Sequence, residues 1–284
     1  MTSRWCNQCV SPTIEGKIKD ELGESDDTGA YFVKVPAYPA WFTIDSNVEP
    51  WSDIRVRKAV NLWMDRQAGL KAVFNGLGQS VGMFISGTPY ANPDQAEWPG
   101  LNPKTKAADR ARAKELLTEA GYPNGFKSTM LCRSLFMDMG CEWAATEMNG
   151  LLGEGNFKID SVDTATFTAR FAARDWETNF GSAGPYVHPE EGRTMWMSGN
   201  GSFSRHTDTS VDAAFDELSN MPDGAARTKK AQELEKYFIY EKQYAIPLWI
   251  WVENRAYRSY IKGVPRPEIA VNWSIDMAAE WMDK

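Results

Sequence analysis

The chain has 284 residues, 43% hydrophobic and 24% charged, which supplies enough apolar side chain for one large or two modest cores. Its formal net charge is −7 and no Lys/Arg block is present to neutralise phosphates, which argues against a nucleic-acid partner. No apolar run approaches the roughly 20 residues that a bilayer span requires.

Residues 6–28 are polar, and Glu24-Ser25-Asp26-Asp27 reads as a solvated loop. Short strands are predicted at 31–35 and 41–44, separated by Pro36 and Pro39. A helix follows. Ser52 or Asp53 can accept the free N–H groups of its first turn, and Gly76 can take the left-handed conformation that stops it. Between them Val56, Ala59, Val60, Trp63, Leu70, Val73, Phe74 and Leu77 recur at three- and four-residue steps, which marks one buried face. Arg55 and Arg57 oppose the dipole at the helix start and point to different faces. They are read as structural cations that salt-bridge the surface, not as an anion site.

Residues 79–100 are rich in Gly, Pro and Asn and read as loop, and a helix is predicted from 105 to 120, stopped by Gly121. A strand at 126–132, a helix at 136–152 and a strand at 157–162 make a βαβ unit, which implies parallel strands and a right-handed crossover. Asp163 or Thr164 caps a short helix to Ala173, a strand follows at 176–181, and 182–204 is loop. Helices near 208–218 and 225–241 precede a strand at 245–252. A further strand at 255–260 is expected to pair with it, and residues 263–284 show little pattern. The whole is a layered α/β chain.

Signals of catalysis are nearly absent. The two histidines, His188 and His206, lie in no metal-ligand spacing, and no nucleophile elbow, Walker loop or dinucleotide fingerprint is present. Glu190 and Glu191 are adjacent, so their side chains diverge on any regular element. No catalytic residue, metal or cofactor is expected. Cys6-Asn7-Gln8-Cys9 has a C-x-x-C spacing, but no second Cys/His pair follows. Both are read as loop cysteines, open to disulfide pairing in an oxidising compartment. Trp249 and Trp251 stand two apart on one strand and share a face, which suits either a buried strand or an indole platform for a ligand.

Three motifs carry a resemblance. The first is Pro50-Trp51-Ser52-Asp53-Ile54-Arg55-Val56-Arg57 with Asp65-Arg66 and Gly76-Leu77-Gly78. The second is Asn102-Pro103-Lys104 leading on to Gly121-Tyr122-Pro123-Asn124-Gly125-Phe126. The third is Ala245-Ile246-Pro247-Leu248-Trp249-Ile250-Trp251-Val252. In this order, over residues 38–284, they resemble the family 5 solute-binding proteins of bacterial ABC importers, receptors for peptides, nickel, opines and some sugars.

The resemblance implies a periplasmic-binding-protein-like (type II) α/β fold of two lobes, of which this chain is similar to the carboxy-terminal half. On that reading residues 1–45 are a remnant of the first lobe with crossover strands, 46–262 the second α/β lobe, and 263–284 the return to the first lobe. Met1-Thr2-Ser3-Arg4-Trp5-Cys6 has no apolar signal core, so the expectation is a partial chain of a periplasmic or extracellular, membrane-associated protein. The implied function is capture of a peptide or oligosaccharide-like solute without covalent chemistry. The implied partners are ABC permease subunits and the missing first lobe. A hydrolase acting on peptides or glycosides, or a remnant that no longer binds, are the alternatives.

Family members place an aromatic in the ligand cleft at the position matching Trp251. The segment Ser182-Ala183-Gly184-Pro185-Tyr186-Val187-His188-Pro189 is similar to the family's cleft-bordering W-x-x-D-Y-x-x-P, with Ser182 in place of the aromatic and Pro185 in place of the acid. That acid pairs with the ammonium of peptide ligands, a contact a proline cannot make. The expected ligand is therefore one without an essential free ammonium. The expected ligand-binding residues are Trp41, Ser182, Gly184, Tyr186, His188, Trp249 and Trp251.

Overall fold

The computed structural model describes residues 30–79, 82–134, 137–182, 188–199, 203–258, 261–262 and 281–282, with 30–38 and those from 251 onward described by backbone alone. The first helical region is two helices, α1 (Ile54–Trp63) and α2 (Arg66–Phe74), where the sequence predicts one. Each has its own cap: Asp53 accepts the N–H of Arg55 at 2.8 Å and Asp65 that of Ala68 at 3.0 Å. Between them Met64 is extended, at ψ 121°. The reason is Arg66. Its buried guanidinium donates to the carbonyls of Asn61 (3.1 Å), Met64 (3.3 Å), Gly100 (2.7 Å) and Pro247 (2.7 Å), so carbonyls freed by the break have a charged donor. The left-handed exit expected at Gly76 begins one residue earlier, with Asn75 at φ 50° and Gly76 at φ 79°.

The remaining helices are α3 (Lys106–Glu119), α4 (Asp138–Leu152), α5 (Thr164–Ala173), α6 (Arg193–Trp196), α7 (Thr209–Asn220) and α8 (Ala225–Lys236), the last continued by a π-helical turn at Tyr237–Glu241. They flank a mixed sheet of β1 (Ala30–Ile44), β2 (Gly78–Gln79), β3 (Ser128–Arg133), β4 (Phe157–Val162), β5 (Thr178–Ser182) and β6 (Ala245–Arg258), ordered β2-β6-β1-β5-β3-β4. The expected βαβ unit is present: β3 and β4 are parallel neighbours joined through α4. Short strands β7 (Ile261–Lys262) and β8 (Trp281–Met282) pair with each other.

Two strand expectations are corrected. The pair at 31–35 and 41–44 is one strand, β1, with a register shift between Pro36 and Pro39. Proline cannot donate to a ladder, and an irregular pairing is where a strand tolerates it. The pair at 245–252 and 255–260 is likewise one strand, β6, and its partner is β1. Val252-Glu253-Asn254-Arg255 carries no glycine and no turn dipeptide to reverse the chain. Residues 40–44 of β1 pair with β5 in the middle of the sheet, so the sheet draws on residues before position 46.

Alternation along β1 divides the interior into two cores. Ala40, Phe42 and Ile44 face a cluster shared with Val60, Met130, Leu151 and Trp249, under α1 to α4. Trp41 faces a second cluster with Phe84, Trp196, Phe215 and Phe238. Arg55 pairs with Asp53 at 2.6 Å, as expected of a surface cation. Arg57 does not: it is buried and donates to the carbonyls of Trp51 (2.7 Å), Ser52 (2.8 Å) and Lys242 (3.0 Å), so it ties loops together instead of salt-bridging the surface. A disulfide joins Cys132 on β3 to Cys141 on α4, a pairing that no spacing motif in the sequence marks. Cys6 and Cys9 lie outside the described residues. Among the described residues no helix is long and apolar enough to cross a membrane.

Candidate functional site

Strands β3, β4 and β5 run parallel, so their carboxyl ends reach one edge of the sheet, the place where open α/β sheets bind ligands. Arg133 ends β3, Asp163 follows β4 and Ser182 ends β5. Asp163 is committed to capping α5, accepting from the N–H groups of Ala165 (2.9 Å) and Thr166 (3.0 Å). Arg133 is half-buried, with its guanidinium 5.8 Å above the Phe167 ring, and burial holds its pKa below the usual arginine value. Phe167 stacks on Phe171 at 5.8 Å and Phe171 on Trp176 at 5.6 Å, so one ring ladder underlies the cation. No sequence motif marks Arg133; the signal for it is its position at the end of the first strand of the βαβ unit.

The register relates this edge to β1 and β6. Ser182 is level with Ala40, and Ala40 with Trp249. Ser182 is partly exposed. Gly184 and Tyr186 lie outside the described residues. Trp251 is placed opposite Gly78 on β6, and its side chain is likewise outside them.

Two expected ligand residues, Trp249 and Trp41, are core. Trp249 is fully buried, with ring centroids 4.6 Å from Trp143, 6.0 Å from Phe74 and 6.3 Å from Phe180, so it belongs to the first core and not to a cleft wall. Trp41 is fully buried in the second core, 4.6 Å from Trp196. A bulge at Leu248, between the pairs Trp41–Pro247 and Ala40–Trp249, brings both Leu248 and Trp249 into the first core. His188 is exposed and lies 5.9 Å from the Tyr90 ring, and its backbone N–H donates to Glu191 at 3.1 Å. The next residues are pinned, since Glu190 pairs with Arg227, which also holds Asp223. His206 is buried, stacked on Tyr244 at 4.5 Å with Nε2 2.7 Å from the Trp196 carbonyl, and is structural. Among the described residues no cluster of His, Cys, Asp and Glu has the makings of a metal site.

A mixed sheet covered on both faces, with a paired ribbon leaving the carboxyl edge of its parallel strands, defines an α/β lobe of the periplasmic-binding-protein type II class. The family described as bacterial extracellular solute-binding proteins, family 5 Middle, matches residues 10–201, and the chain belongs to it. The structure is similar to the murein tripeptide binding protein MppA of Escherichia coli, with TM-score 0.81 and 18% identity over 98% of this chain and 53% of that one. It is also similar to the periplasmic binding protein DppA of Helicobacter pylori in complex with peptide STSA, with TM-score 0.79 and 19% identity over 95% of this chain and 51% of that one. The glutathione-binding protein GsiB of Salmonella choleraesuis is 34% identical over 91 residues, 32% of this chain and 16% of that protein. The chain spans about half the length of the solved relatives it matches.

Proposed function

We propose that this chain supplies one lobe of a solute receptor for an ABC importer, holding a peptide or oligosaccharide-like ligand without covalent chemistry at the carboxyl edge of the sheet. The observation that carries the reading is the β1–β6 ribbon. Residues 30–36 of β1 pair with 252–258 of β6 beyond the point where β5 ends, since Ser182 is already level with Ala40. Two chain crossings therefore leave the lobe beside the candidate site. A ligand bound there is well placed to be closed upon by a second lobe, and the closed form is what a permease subunit would recognise. The names of the relatives support a peptide-like solute: one similar structure holds the peptide STSA, and GsiB is named for glutathione.

In this reading Arg133 meets an acidic group of the ligand, Ser182 and Tyr186 border it, and Trp251 stands on the ribbon side. Pro185 removes the carboxylate that an ammonium would need, so ligands with a blocked or absent amine are preferred. Calorimetric titration of the chain with free tripeptides, N-acetylated tripeptides and short oligosaccharides tests this. Binding of an N-acetylated tripeptide or an oligosaccharide, weakened by Arg133→Gln and Tyr186→Ala, is expected. Tighter binding of ordinary free-amine peptides, or no binding of any panel member, would overturn it.

A further inference from the structure

Beside the candidate site lies the start of α4, held in place from two directions. Cys141, in its first turn, is disulfide-bonded to Cys132, the residue before Arg133 on β3, and both cysteines are buried. Gly140 rests on Phe180 of β5: a Cβ at position 140 would come within 2.5 Å of that ring. Phe180 precedes Ser182 by two residues, about 7 Å along the strand. The helix start is thus fastened to β3 by a covalent bond and to β5 by a contact that only glycine allows. Immediately before these fixings Met139 is 58% exposed, the one large hydrophobic side chain exposed among the described residues.

We propose that this first turn of α4 is a second wall of the solute site, in which Met139 takes an apolar side chain of the ligand and the Cys132–Cys141 disulfide is the positioning element. The inference rests on the solute-receptor reading above. The physical logic is a rigid backbone carrying a pliant contact. Methionine is unbranched and polarizable, and it adapts to differently shaped apolar groups. Such a side chain discriminates among ligands only if its backbone is fixed, and here the disulfide and the Gly140–Phe180 contact fix it. The occupant is a short peptide-like ligand whose apolar side chain packs on the thioether, beside the acidic group that meets Arg133.

The test uses the full chain and two probes, N-acetyl-Ala-Leu-Ala and N-acetyl-Ala-Gly-Ala, read by calorimetry and by amide hydrogen exchange. The leucyl probe is expected to bind about tenfold tighter than the glycyl one. Met139→Gln is expected to erase most of that preference at unchanged Tm, while Met139→Leu keeps it. Reduction with a phosphine is expected to speed exchange at Met137–Cys141 and to weaken both probes. Equal affinity of the two probes, or a preference that survives Met139→Gln, overturns the inference while binding with protection near Ser182 leaves the receptor reading standing. Failure of both probes while an oligosaccharide binds overturns the inference alone, and failure of the probes together with every other peptide and oligosaccharide overturns both. Unchanged exchange and affinity on reduction removes the disulfide from the positioning role. Should the reduced chain unfold, the Met139 variants, which keep the disulfide, still decide.

Discussion

Arg66 donates its Nε–H to the carbonyl of Pro247 at 2.7 Å, across 181 residues of sequence. The same guanidinium holds Asn61, Met64 and Gly100, so one buried cation joins the end of α1, the loop before α3 and β6. Arg66→Met leaves these carbonyls without their donor. Each hydrogen bond to a charged group contributes about 1.5–3 kcal/mol, and the total lost is expected to reach about 3 kcal/mol or more. Arg66→Lys is not expected to rescue, because an ammonium cannot span the fork of acceptors. Urea unfolding measures it, and a loss under about 1 kcal/mol would show that the network is dispensable.

Trp249 and Trp251 are expected to separate. Trp249→Ala should cost about 3–5 kcal/mol, as for any large core aromatic. Gly69 lies under the same ring, where a Cβ would come within 2.4 Å of Trp249, so Gly69→Ala should be destabilising too. Trp251→Ala should leave Tm nearly unchanged and weaken ligand binding by about 2 kcal/mol. Thermal melts and titrations of both variants check this, and a Trp251 variant that unfolds moves that residue into the core.

Glu235 predicts a pH dependence. Its buried carboxylate accepts from the N–H groups of Phe84 (3.1 Å) and Asn92 (2.6 Å) and from Gln95 Nε2 (3.1 Å), anchoring the loop before α3. Burial nonetheless pushes its pKa up from 4.5 to about 7, against the pull of those donors. The folded chain keeps this proton to about pH 7, whereas the unfolded chain releases it near pH 4.5. Its contribution to stability is therefore full below pH 4.5, falls as pH rises to about 7, and is flat above. Glu235→Gln cannot ionise, so the difference between wild-type and variant melting curves across pH isolates the effect. Parallel curves would show an unshifted carboxyl.

Asn179 is fully buried on β5, and neither its Nδ2 nor its Oδ1 has a partner. A buried amide without partners is costly, and an apolar side chain of similar volume avoids that cost. Asn179→Leu is expected to leave stability unchanged or raise it by about 1 kcal/mol. A clear loss would mean that the amide is satisfied in solution.

Capping aspartates and local periodicity made much of the fold readable in advance. Asp53 opens the first helix and Asp163 opens α5, and the alternation of strand, helix and strand from 128 to 162 makes the parallel pair. The site was less readable. Ser182 ends β5, and Trp41 and Trp249, chosen as ligand contacts for their indoles, are buried in separate cores. Arg133 and Met139 belong to no motif, and their place at the edge follows from strand order and a disulfide.

By itself the sequence determined where most of the helices begin, that the strands of the βαβ unit are parallel, and the family, because caps, hydrophobic period and short motifs act over a few residues. Only the tertiary structure decided that residues 30–44 and 245–258 form one long ribbon and that residues 53–76 break into two helices. It alone decided which tryptophans are core. These depend on partners separated by 100 residues or more, such as Arg66 with Pro247 and Ala40 with Trp249. A charged donor or an indole satisfies the same local rules at a cleft and in a core, and the contacts brought by distant segments choose between them.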